Sequence, residues 1–215
     1  NRCIMSAIKT IRISPQEMKS TFIKKLMVFD FSAEDAEKCA TIFTENSLDG
    51  VYSHGVNRFP RFVDYLKRGL VLPKNKPQLK KQMGVIEQWD GAMGAGPLNA
   101  FFATNRALEL AEENGMGCIA LSNTNHWMRG GYYGWQAAKK GYLYIGWTNT
   151  TAIMPAWGAQ DSKLGNNPLV VGIPYRKEAI VLDMSMSQFS YGAMELASLK
   201  NQKLHVTGGY DSDGN

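Results

Sequence analysis

The chain has 215 residues, 44% of them hydrophobic and 20% charged, a balance that suits a globular protein with a real core in one or two domains. No apolar run reaches the length of a membrane span, and no segment reads as a signal peptide. The net charge of +5 comes from scattered lysines without a basic stripe or interleaved aromatics. That argues against a nucleic-acid partner and leaves a modest positive field for small anions or a dinucleotide.

The first residue is Asn, so the natural start is expected to be missing or processed. Residues 1–13 are basic, apolar and unpatterned, and read as an N-terminal extension. Cys3, Cys39 and Cys118 lie far apart without CxxC spacing, which argues against a disulfide framework or a metal site. Cys39 in a helix and Cys118 in an apolar strand read as core thiols, and the expected compartment is the cytoplasm.

Ser14-Pro15-Gln16-Glu17 is a helix start, with Ser as cap, Pro at the first helical position and Glu three residues after the cap. Phe22, Ile23, Leu26 and Met27 then form one apolar face, to about Phe29. Ser32 opens a second helix with Ala36, Cys39, Ala40 and Phe43 inward, ended near Asp49-Gly50. A third covers about 57–68, with Phe59, Phe62, Val63 and Leu66 inward and Pro60 in its first turn. Residues 14–76 therefore read as a helical domain, closed by the Pro-bearing linker 72–77.

The remainder, 77–215, alternates strands and helices. Gly84–Asp90 reads as a strand, Gly91–Pro97 as a glycine loop and Leu98–Asn114 as an amphipathic helix. Met116–Ser122 reads as a buried strand, 123–131 as a loop, and Tyr132–Lys140 as a helix. Strands follow at Tyr142–Thr148, Leu169–Ile173 and Ala179–Asp183. Met184–Ser187 opens a last helix to about Leu199. The glycine loop has GxxGxG spacing, not GxGxxG, and no second βα unit supplies an acidic ribose contact at the expected distance. A tight turn into a helix explains those glycines.

Two histidines carry chemistry. His54 lies in VYSHGVNRFPR (51–61) with Arg58 four residues on, so a helical turn places both on one face. A proton donor beside a guanidinium suits a 2-oxo acid: Arg holds the carboxylate and His serves the carbonyl. The same residues also fit a helix entrance with solvated arginines. His126 sits in an Asn- and Gly-rich loop after a strand, and with Arg129 repeats the pairing. His205 has no such company and reads as solvated. Asp183 ends a strand, and Ser185 or Ser187 caps the next helix, a position that also suits a phosphate. Gly165-Asn166-Asn167-Pro168 fits a turn, or hydrogen bonds to a carboxamide such as nicotinamide.

VYSHGVNRFPRF (51–62), IEQWD (86–90), NTNHWMRGG (123–131), YGWQAA (133–138), MPAWGA (154–159), GNNPL (165–169) and DMSMS (183–187) stand in order along the chain. Together they resemble the malate/L-lactate dehydrogenase family of non-Rossmann nicotinamide oxidoreductases, from about residue 14 to the end. NHWMRGG and YGWQAA are particular to its sugar-acid reductases; GNNPL and MPAWGA depart mildly from the family's GTNPL and MPPWGA.

The resemblance implies an α/β (α+β) fold: an N-terminal helical segment plus a non-Rossmann mixed-sheet NAD-binding domain. It implies a homodimer that reduces a diketo sugar acid or related 2-oxo acid with NADH, or alternatively NADPH. His54 is then the proton donor, and Arg58, His126 and Arg129 line the substrate pocket. Ala179, Ile180, Val181, Leu182, Asp183, Met184 and Ser185 run along the cofactor. Family chains continue for roughly another half of this length, so this chain is expected to be truncated at its C-terminus. Malate, lactate, ureidoglycolate or a cyclic imino acid are the alternative substrates. A non-catalytic dinucleotide-binding or dimerisation fragment is the alternative from another class.

Overall fold

The computed structural model describes residues 11–204, 206 and 208. The extension reading over 1–10 and the solvated His205 lie outside the described residues.

Helix α1 spans Pro15–Met27 and α2 spans Ala33–Leu48. Ser14 Oγ accepts the Glu17 N–H, and Ser32 Oγ accepts the Asp35 N–H, each at 3.1 Å. Each cap satisfies a donor that the first helical turn leaves unpaired. A short 3-10 turn at Tyr52–His54 leads into α3, Phe59–Lys67, with Pro60 in its first turn. Phe22 stacks on Phe59 with centroids 4.0 Å apart, and Phe43 meets Phe59 edge-on at 5.1 Å. Each such buried ring is worth about 1.5–3 kcal/mol. Ala36, Cys39, Ala40, Phe62, Val63 and Leu66 are buried as their spacing predicts. Met27 is not: it sits one residue, about 100°, past the fully buried Leu26, and faces solvent. The same core takes in Val71, Ala95 and Met128 from later in the chain.

Strand β1, Gln78–Met83, pairs antiparallel with β2, Ile86–Asp90. The sequence gives β1 no signal, because all six residues are exposed and no apolar alternation marks it. Helix α4, Gly96–Asn114, crosses to β3, Cys118–Ser122, which lies parallel to β2. Glu87 is 1% exposed on β2. It accepts from Arg106 of α4 at 2.7–3.2 Å and from Trp89 Nε1 at 2.8 Å. Arg106 holds its carboxyl below the usual carboxylate range. β3 is not the buried strand its composition predicts. It alternates exposed and half-buried, and Cys118 is exposed. Helix α4 packs against it and β2 pairs with it, and a strand needs cover on both faces to be buried throughout.

Helix α5 spans Gly131–Ala138, followed by β4, Tyr144–Trp147. A two-stranded ribbon of β5, Met154–Pro155, and β6, Ser162–Leu164, precedes β7, Leu169–Tyr175, and β8, Glu178–Met184. The order β4–β7–β8 is antiparallel throughout. Its inner face packs on α5 at close range: a Cβ on Gly134 would stand 3.0 Å from Val170 and 3.1 Å from Val181. Its outer face presents Ile145, Trp147, Ile173, Ile180, Leu182 and Met184 to solvent.

Helix α6 spans Tyr191–Leu199, later than expected. Neither Ser185 nor Ser187 caps it; Ser190 Oγ does, accepting the Ala193 N–H at 3.2 Å. Ser185 and Ser187 instead share a hydrogen bond of 2.6 Å, and Ser187 Oγ donates to the Phe189 carbonyl at 2.5 Å. These local bonds hold a turn and compete with helix initiation. Ser185 and Ser187 are therefore not a phosphate-ready helix start. Among the described residues no helix is long and apolar enough to cross a membrane.

Candidate active site

His54 is held at the C-terminal end of α2. Asn46 Nδ2 donates to the His54 carbonyl at 3.1 Å, and the Val56 N–H donates to Ser47 Oγ at 2.9 Å. Gly55 is required here for space: a Cβ would stand 2.8 Å from the Ser47 nitrogen and 3.0 Å from the Phe43 carbonyl oxygen. Its role is thus close contact with α2. Ser53 Oγ lies 2.9 Å from His54 Nδ1, which leaves Nε2 as the outward nitrogen.

His126 arrives from the opposite side, and the two ring centroids are 5.6 Å apart. The glycine loop seats it. Asn125 Nδ2 donates to the Met93 and Gly94 carbonyls at 3.1 Å, and Gly96 packs on the carbonyls of Asn125 and His126. From the other end the buried Tyr133 hydroxyl donates to the Trp127 carbonyl at 2.7 Å. The loop's glycines are thus spent on close backbone packing, as the tight-turn reading holds. The Met128 N–H donates to His126 Nδ1 at 2.9 Å. Neutral His126 therefore carries its proton on Nε2.

A small pocket lies here, lined by Arg58, Arg61, Tyr65, Asn125 and His126 among others. Burial and the Arg58 charge push the His54 pKa down, with Arg129 adding to the effect and Asp183 opposing it. Burial pushes His126 further, to about 3, helped by Arg58, His54 and Arg61. The site thus disfavours a further positive charge.

The expected site residues divide. Arg58 and His126 line the pocket, and His54 comes to it only through its ring contact with His126. Arg129 is committed elsewhere: its guanidinium pairs with Asp49 at 2.5 Å and lies 4.5 Å from the Trp135 ring centre. Along 179–185, Val181 and Asp183 turn inward onto α5. Ile180, Leu182 and Met184 point out. Asp183 Oδ2 accepts the Gly131 N–H at 2.7 Å, at the start of α5, and its charge reaches His54. Sequence reasoning missed Arg61, Tyr65 and Asn125. Arg61 was findable, because it is three residues past Arg58 and a helix sets such residues side by side.

A family model described as malate/L-lactate dehydrogenase matches residues 13–215. The chain belongs to that family. It is 48% identical over 205 residues to 2,3-diketo-L-gulonate reductase of Klebsiella pneumoniae, covering 95% of this chain. It is 48% identical over 204 residues to the same-named protein of Salmonella typhimurium. The chain spans 61% of the length of these relatives. Among solved structures it superposes on sulfolactate dehydrogenase from Methanocaldococcus jannaschii with a TM-score of 0.87. That match has 30% identity and covers 95% of this chain and 60% of the other. Malate dehydrogenase from Pyrococcus horikoshii gives 0.83 at 29% identity, covering 86% of this chain and 53% of the other. The fold is therefore that of the malate/L-lactate dehydrogenases, a mixed α/β architecture.

Proposed function

We propose that this chain carries the proton-donating and cofactor-facing part of a reductase for 2,3-diketo-L-gulonate or a closely related 2-oxo acid. The observation that carries the reading is the contact of the His54 ring with His126, which lines a pocket together with Arg58 and Arg61.

In this reading Arg58 takes the substrate carboxylate by paired hydrogen bonds. His126 donates from Nε2 to a substrate oxygen and fixes the carbonyl near His54. Protonated His54 gives its Nε2 proton to the developing alkoxide, while its Nδ1–H is held by Ser53 Oγ. Such proton donation is worth about 10²–10⁴ in rate. Arg129, anchored by Asp49 and Trp135, shapes the wall and supplies positive field.

Nicotinamide dinucleotide, when bound, supplies the hydride. In this reading Ala179–Ser185 run along that group, and the Asp183 and Ser185 side chains already have protein partners. Ala179–Ser185 would then hold the cofactor mainly by packing. NADH is the proposed form and NADPH the alternative, decided by titrating both side by side. A homodimer and a cytoplasmic setting complete the proposal.

The test follows NADH consumption with 2,3-diketo-L-gulonate beside pyruvate and oxaloacetate, on this chain and on a form extended to the length of its relatives. His54→Ala should lower turnover by about 10²–10⁴ while NADH binding persists. Unchanged turnover would remove His54 from the mechanism. NADH binding without turnover of any 2-oxo acid would sink the reaction.

A further inference from the structure

Arg61 lines the pocket from α3, and its Nη2 is bound to Oε1 of Glu195 on α6. The two residues are 134 positions apart. Their side chains are 34% and 39% exposed, and a pair that open contributes only about 0–1 kcal/mol to stability. Stability does not account for it. Its place does. Helix α6 rests on the turn that holds His54: a Cβ on Gly192 would stand 3.4 Å from Ser53 Cβ. Glu195 is thereby brought to Arg61, a pocket-lining guanidinium that shares a helix face with Arg58.

Two guanidiniums one turn apart would suit a substrate with two carboxylates. Glu195 changes that balance. A second carboxylate would have to displace it from Arg61 and sit beside a like charge. A hydroxyl has no such difficulty, since it both donates and accepts and the pair offers an acceptor and spare donors. We infer that the Arg61–Glu195 pair is a specificity element: with Glu195 in place the pocket takes a monocarboxylate with a polyhydroxy tail and rejects a dicarboxylate. The inference rests on the proposal that the pocket binds a 2-oxo acid.

The test is Glu195→Gln, which keeps the shape and an acceptor oxygen and removes the charge. Calorimetry with malonate and with gluconate, on the full-length protein, reads charge preference without turnover. The variant should bind malonate about tenfold to a hundredfold more tightly relative to gluconate, the worth of one charge-assisted hydrogen bond. Arg61→Gln added to it should abolish the gain. With 2-oxo acids, the ratio of kcat/KM for oxaloacetate to that for 2,3-diketo-L-gulonate should rise in step. A malonate-to-gluconate ratio unchanged in Glu195→Gln, and in Glu195→Ala as a second variant, with thermal midpoints near wild type, would overturn the inference. If malonate binding rises and no 2-oxo acid is reduced by wild type, the charge rule stands and the reaction proposal falls.

Discussion

The rings of His54 and His126 stand 5.6 Å apart between centroids, and both are held below the ordinary histidine range, His126 to about 3. Two imidazoles this close do not both charge easily, so the pair carries at most one positive charge over most of the pH scale. The Met128 N–H, donating to His126 Nδ1, favours the neutral ring at 126. The charging proton therefore belongs to His54, which is what the proposed donor to a carbonyl requires.

That arrangement has a stability consequence. The unfolded chain takes a proton on residue 126 near the ordinary value of about 6.5, and the folded chain only near 3. Between those values the unfolded state holds more protons, so folding stability falls as pH drops. The slope is at most about 1.4 kcal/mol per pH unit for this group. Urea midpoints should be lower at pH 5.5 than at pH 7. His126→Asn should reduce the difference, and an undiminished difference would assign the acid loss to other groups.

Asp183 sets the second prediction. Its carboxylate accepts the Gly131 N–H, and its charge raises the His54 pKa against burial and two arginines. In the proposed reduction the active form is protonated His54, so kcat/KM should fall as pH rises through an apparent pKa below 6.5. Asp183→Asn keeps an acceptor for Gly131 and deletes the charge. The profile should move to lower pH, and at pH 7 the rate should drop. A profile that does not move would leave Asp183 with a purely structural part.

Gly96 gives the third. A Cβ there would overlap the carbonyls of Asn125 and His126, so Gly96→Ala must push the His126 loop out of place. Overpacking of this kind costs about 1–3 kcal/mol, and a displacement near 1 Å costs about 10²-fold in rate. Gly84→Ala is the control: Gly84 has φ +58° and open space around it, so its cost is backbone strain alone, with kcat/KM intact. Equal activity in both variants would show that the loop tolerates movement.

The helical part was readable because its signals are local. Ser14 and Ser32 announce their helices, and the stripe Ala36, Cys39, Ala40, Phe43 is fully buried. The site was readable only in pieces. His54 and His126 stood out as rare titratable residues beside arginines, yet nothing local says that they face each other; that depends on Gly96 and Tyr133 placing one loop. Arg129 looked like an anion ligand because its partner Asp49 lies 80 positions away. β1 and the β5–β6 ribbon escaped notice for a different reason. They are short or exposed and owe their form to pairing, which a single strand's composition does not reveal. The start of α6 was misplaced because Ser185 and Ser187 bond to each other and to the turn.

The last prediction concerns the outer face of the β4–β7–β8 sheet. Register places Ile145, Val171 and Leu182 in one row, Trp147, Leu169 and Met184 in a second, and Ile173 beside Ile180 in a third. Six of these side chains are exposed, Trp147 by 70%. Contiguous apolar surface of this kind promotes association and binds hydrophobic dyes. The 215-residue chain should therefore enhance anilinonaphthalene sulfonate fluorescence at pH 7 and scatter light as concentration rises. Ile145→Lys and Ile173→Lys point away from α5 and leave the buried Val170 contacts alone, so they should keep the far-ultraviolet spectrum. Both dye signal and scattering should fall, and most in the double variant. If neither falls, the association surface lies elsewhere, and the sheet's outer face is not what drives it.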